Sequence, residues 1–105
     1  MFTGGMFNAC RGFNAAIGAW DTSSVTDMRW MFNACSLFNA DITGWNTSAV
    51  VDMSFMMGNC LAFNRDLRPW DVSAVRARIA FAWRHAGAPF DPDFYPNFPV
   101  DDPHM

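Results

Sequence analysis

Three cysteines, Cys10, Cys35 and Cys60, recur at a constant step of 25 residues. Thiols at that spacing invite a metal or a disulfide. Zinc needs four ligands, usually with a Cys-x-x-Cys pair or a nearby His, and neither occurs here. A disulfide between neighbouring units would leave one cysteine over and needs Cα atoms within about 7 Å. The column therefore reads as a core ladder of small hydrophobes. Asn14, Asn39 and Asn64 keep the same step, and amides lying among Phe are expected to bond the backbone of neighbouring units. Trp20, Trp45 and Trp70 form a third column, readable as core or as an exposed stacking platform for sugars.

The carboxylates raise calcium, through Asp41 with Asp66 and Asp27 with Asp52. No Asp-x-Asp-x-Asp-Gly loop or glycine-rich calcium nonapeptide accompanies them, so turn and capping roles are expected. Thr22 and Thr47 begin a threonine column of the ice-binding kind, but Val72 ends it. His85 and His104 lie in the divergent C-terminal part, with no Ser or Cys motif beside them. There is no P-loop and no dinucleotide fingerprint. A non-enzyme without cofactor or metal is the expectation.

What must position these columns is the period itself. Residues 6–30 and 31–55 agree at 15 of 25 positions, and 31–55 and 56–80 at 9. Met6, Met31 and Met56 share the step, as do Phe13, Phe38 and Phe63, and Val25, Val50 and Val75. A unit this short cannot bury its own apolar side, so successive units must stack. Val25, Met28, Phe32 and Cys35 follow i, i+3, i+7, i+10, the spacing of one helix face. Ser23 and Ser24 precede them as N-cap residues, and Asp27 falls in the first turn. The spacing predicts helices over 25–35 and 50–60 and a final helix through Ile79, Phe81 and Trp83. Gly44, with Pro69 one unit later, points to an extended stretch with a short strand at 41–43. The expected fold is an α/β repeat solenoid of about three 25-residue turns, each a helix plus a short parallel strand.

The expected boundaries are a solenoid over 1–88, with its divergent last turn, and a strap over 89–105. The strap carries five of the six prolines, which argues against repetitive structure, and Phe90, Phe94, Tyr95 and Phe98 are expected to cover the last turn. At the other end Met1, Phe2, Met6 and Phe7 look uncapped. Arg65, Arg68, Arg76, Arg78 and Arg84 stand against two Asp over 61–90, giving +3, while residues 91–105 carry −4. The acidic tail is expected to fold onto the basic turn, with docking of an acidic partner at Arg68, Arg76, Arg78 and Arg84 as the alternative.

Composition narrows the classes. At 105 residues there is room for one domain, and 51% hydrophobic residues is too apolar for a disordered chain. No run reaches the roughly 18 apolar residues of a membrane span. A net charge of −3 argues against general nucleic-acid binding. Lys, Glu and Gln are absent altogether. These long side chains lose the most rotamer entropy on immobilisation, and Lys and Glu are depleted at interfaces. A surface without them is suited to being covered by partners.

The stretch Phe38-Asn-Ala-Asp-Ile-Thr-Gly-Trp-Asn-Thr-Ser-Ala-Val-Val-Asp-Met-Ser-Phe-Met-Met57 resembles the BspA-like repeat family, with 13–32 and 63–75 matching in turn. Members are known from mycoplasma, bacterial and protist surface proteins and are grouped with leucine-rich repeats. The resemblance implies a leucine-rich-repeat-like solenoid, adhesion or protein–protein binding, and no catalytic residues. It also implies a cell-surface or secreted location, although no basic and apolar leader precedes Met6. The expected function is a non-catalytic interaction or assembly module: an accessory subunit, or a protein that self-associates through its solenoid ends. The alternative is an adhesion or glycan-binding domain using the tryptophan column.

Overall fold

The structure, a computed structural model, describes residues 4–83 and 92–98. Backbone amides in its central segments alternate between two kinds of partner. The N–H groups of Met28, Trp30, Phe32 and Ala34 donate to the carbonyls of Asp52, Ser54, Met56 and Gly58 at 2.7–3.0 Å. Those between them, on Met31, Asn33 and Cys35, close tight turns onto Met28, Trp30 and Phe32 at 2.9–3.2 Å. One unit later Met53, Phe55, Met57 and Asn59 donate onward to Ala77, Ile79, Phe81 and Trp83 in the same way. The period is thus carried by hydrogen bonds between units and by turns within them.

This overturns the expected α/β solenoid. Among the described residues there is no α-helix and no extended strand; the one regular element is a 3-10 helix, Pro92–Phe94. A helix needs successive N–H groups to donate to the carbonyl four residues back, and here alternate N–H groups are committed to the next unit. Trp30, Ala34, Phe55 and Asn59 moreover have φ of 61°, 62°, 57° and 53°, in the left-handed region that an α-helix excludes. The helices expected over 25–35 and 50–60 therefore do not form. The final helix fails for the same reason: Phe81 and Trp83 close turns onto Arg78 and Ala80, and Ala80 has φ of 53°. The inward spacing of Val25, Met28, Phe32 and Cys35 is real, since all are buried. Successive three-residue turns bring every third or fourth residue inward, and that mimics helical periodicity.

The strand expected at 41–43 is also absent. Asp41 Oδ1 accepts both the N–H and the hydroxyl of Thr43, at 3.0 and 2.6 Å. Such a side-chain turn diverts the backbone from a ladder, and the Trp45 N–H then closes onto Ile42. Parallel pairing occurs instead as isolated bridges, Asp27 with Asp52 and Asp52 with Ala77. With neither a regular helix nor a strand in each unit, the leucine-rich-repeat-like solenoid gives way to a compact body of 30 × 29 × 21 Å.

Its core is a set of in-register columns. Phe38 lies parallel to Phe13, Phe32 and Phe63, with ring centroids 5.8, 4.2 and 5.6 Å away. Met28, Met53, Ile42, Leu67, Val50 and Val75 fill the space around the rings and are buried. The strap departs from expectation in holding the 3-10 helix; Pro92 suits its first position, where a fixed φ is already helical. The Leu67 N–H donates to the Phe94 carbonyl at 2.8 Å, and Phe94, Tyr95 and Phe98 pack against the core. Phe90 lies outside the described residues.

Candidate functional site

The tryptophan column divides. Trp45 and Trp70 are buried, their rings 6.5 Å apart and within 4° of parallel, and their Nε1–H groups donate to the carbonyls of Ile17 and Ile42 at 3.0 Å. Each indole thus seals one unit to the unit before it. Trp20, in the first unit, remains 44% exposed. A platform of three exposed tryptophans does not exist.

The asparagine column is a backbone ladder. Asn14 Oδ1 accepts the N–H of Asn39 at 2.8 Å, and Asn39 Oδ1 accepts that of Asn64 at 3.2 Å. Beside it a shallow polar groove is lined by Asn14, Gly18, Asn39, Asp41 and Arg65, with Arg65 Nε donating to the Asn39 carbonyl. A side chain at Gly18 would collide with the Asp41 carbonyl, so the groove floor is backbone in close contact.

The cysteines are free. Cys35 Sγ–H donates to the Phe7 carbonyl and Cys60 Sγ–H to that of Phe32, both at 2.9 Å. Burial pushes the Cys35 thiol up to about 11, and a thiol is a poor nucleophile until ionised. Cys10, in the first unit, is exposed. A thiol-reactive dye at neutral pH is therefore expected to label Cys10 quickly in the native protein, and Cys35 and Cys60 only in denaturant. Three equally fast thiols in the native state would contradict the buried ladder.

The aspartates cap turns. Asp21, Asn46 and Asp71 each accept the N–H and the hydroxyl of the serine two residues on. Those bonds hold the Asp21 and Asp71 carboxyls below the usual carboxylate range, and Thr43 does the same for Asp41. Asp66 is lowered to about 2, first by the Arg68 side chain bonded to it and then by the Arg68 N–H. Asp27 and Asp52 accept the N–H groups of Arg29 and Ser54. Among the described residues no three His, Cys or acidic side chains cluster as metal ligands. Thr22 and Thr47 are buried, with their hydroxyls on the carbonyls of Asn46 and Asp71, so they present no threonine face.

The arginines do not form one patch. Arg68 pairs with Asp66 at 2.8 Å, and Arg76 Nη1 donates to the carbonyls of Ser73 and Val75. Arg78 instead has its guanidinium 5.0 Å from the centre of the Phe98 ring. Arg84, His85, His104, Met1 and Phe2 lie outside the described residues.

The first unit exposes residue types that the second unit buries. Phe7 stacks on Phe13 at 4.1 Å and on Phe32 at 5.7 Å, and both Phe7 and Phe13 are only half-buried. Met6 is 51% exposed, Cys10 and Trp20 are exposed too, and the Trp20 ring lies 5.8 Å from that of Phe7. Their counterparts one unit on, Met31, Phe32, Cys35, Phe38 and Trp45, are all buried. Two further features were not anticipated from the sequence. Trp30 and Phe55 stack 4.2 Å apart on the outside, in the column whose φ is positive. The third unit and the strap line an open pocket that includes Arg78. The first had a visible signal, an aromatic pair at the repeat step; the second had one too, an Arg where Met28 and Met53 lead the column.

The described residues form a compact body of stacked turns whose first unit exposes residue types that the second unit buries. The chain belongs to the family described as Mycoplasma protein of unknown function, DUF285, which matches it over residues 3–87. No curated protein and no solved structure matches it. No described helix is long and apolar enough to cross a membrane.

Proposed function

We propose that this chain is a non-catalytic protein–protein interaction and assembly module whose working surface is the open face of its first unit. The observation that carries this reading is the contrast within each column: Met6, Cys10 and Trp20 are exposed and Phe7 and Phe13 half-buried, where Met31, Phe32, Cys35, Phe38 and Trp45 are covered. A contiguous aromatic patch of this kind marks an interaction surface, and Trp, Phe and Met are enriched in interface cores. The lack of Lys, Glu and Gln lowers the entropy lost on covering it. The resemblance to BspA-like surface repeats adds adhesion as a setting for the same surface.

The occupant proposed is a second copy. Head-to-tail stacking would need a free face on the third unit, and that face carries the strap, through Phe94, Tyr95 and Phe98. The open face then meets its like about a two-fold axis, and such an interface closes at two subunits. Light scattering in reducing buffer is expected to show a mass that rises with concentration and levels off at twice 11.8 kDa. Trp20→Asp is expected to return it to the monomer with its melting temperature unchanged. A monomer at every concentration, or growth without limit, overturns the two-fold pairing.

A further inference from the structure

The third unit departs from the repeat at three neighbouring positions. Arg78 stands where Met28 and Met53 fill the core, Ala80 where Trp30 and Phe55 stack, and Ala82 where Phe32 and Met57 are buried. Two large side chains are thus exchanged for methyl groups and one buried methionine for a cation. Beside the two alanines lies an open pocket of about 330 Å³, lined by Arg78, Phe81, Trp83, Tyr95 and Phe98. That volume lies at the small end of the range for small-molecule sites.

Arg78 is held in place, yet one of its donors has no partner. Its guanidinium carbon lies over the Phe98 ring, 5.0 Å from the ring centre, a cation–π contact. Phe81 meets Phe98 edge-on at 5.1 Å and Tyr95 at 6.0 Å, which braces that wall. The Nε of Arg78 is buried and has no hydrogen-bond partner. A buried donor without an acceptor is costly, and a repeat that placed methionine here twice shows that the fold does not require the charge.

We infer that this pocket binds a small monocarboxylic acid with an aromatic or branched apolar body. The carboxylate would sit on the Arg78 fork and the body would lie against Phe81, Trp83, Tyr95 and Phe98. The planar guanidinium matches a carboxylate bidentately. Arg78 is the single cation among the described lining residues, so it balances one negative charge; a phosphate dianion would bring a second charge among aromatic rings. The inference does not depend on the first-unit face, because the two sites share no residue.

The probe is 3-phenylpropionate titrated into the full chain, followed by calorimetry and by the NMR signal of the Arg78 Nε–H. Saturable binding with a shift of that signal is expected, and 3-phenylpropionamide, which lacks the charge, should bind at least tenfold more weakly. Arg78→Met restores the residue found twice in the column and should weaken acid binding at least tenfold. Ala82→Phe keeps the charge but restores the bulk, and it should do the same. Absence of saturation, equal binding of acid and amide, or an Arg78→Met protein that binds like the parent overturns the inference. Binding seen only after Asp101→Asn and Asp102→Asn together also overturns it, by assigning the pocket to the chain's own acidic end.

Discussion

Replacing Phe38 by Ala is expected to cost about 3–5 kcal/mol of unfolding free energy. Phe38 has no solvent exposure and lies parallel to three rings, those of Phe13, Phe32 and Phe63, within 15° in every case. Its removal takes away the transfer free energy of a full aromatic side chain. It also leaves a void that the neighbours close poorly, because Phe32 and Phe63 are fixed by their own units. Domains of this size have about 5–15 kcal/mol to lose, so the variant is expected to be marginally folded. Urea unfolding checks this against Leu37→Ala next door, where the side chain is 60% exposed and the change should stay within about 0.5 kcal/mol. A Phe38→Ala protein no less stable than Leu37→Ala would show that the phenylalanine column is not the centre of the core. Phe13→Ala is expected to fall between the two, since Phe13 has rings on one side and the open face on the other.

The same column shows how far the sequence could be read. A step of 25 residues with Phe, Met, Cys and Trp in fixed places announces stacking. The residues it turns inward, such as Val25, Met28, Phe32, Cys35 and Phe38, are buried. The backbone that delivers them was not legible. Helical spacing and a series of three-residue turns both bring residues inward at every third or fourth position, and apolar pattern alone cannot separate them. The distinguishing variable is φ, and the left-handed positions are occupied by Trp30, Ala34, Phe55 and Ala80, residue types that do not advertise it. Gly5 in one column and Asn59 in the other are the only types there that tolerate left-handed φ readily. The strand at 41–43 failed on a side-chain choice, Asp41 capping Thr43, which a β-pattern does not register. At the site level Met6 and Cys10 are the same residue types as the buried Met31 and Cys35, so their exposure cannot be read from the columns. The Arg78 pocket lies beside the small Ala80 and Ala82, and such a place becomes visible only when the columns are aligned in space.

Ala34 separates the two backbones by the sign of a single measurement. If residues 25–35 were a helix, Ala34→Gly would cost about 1 kcal/mol, since Ala is the best helix former and Gly among the worst. In the observed backbone Ala34 sits at φ 62°, where a Cβ costs about 1–2 kcal/mol that Gly does not incur. Against this stands the extra chain entropy of Gly in the unfolded state, about 0.5–1 kcal/mol. The balance favours glycine, so Ala34→Gly is expected to raise stability by up to about 1 kcal/mol. Ala34→Val goes the other way by about 2 kcal/mol or more: a β-branched side chain at positive φ is a steric outlier. The Ala34 N–H, which donates to Gly58 at 2.7 Å, pins the position in place, so the strain cannot be relieved by rotating the peptide. Thermal and urea unfolding of the two variants side by side give the answer. A glycine variant less stable than the parent would mean that the segment is helical in solution, and the turn-built backbone would have to be abandoned.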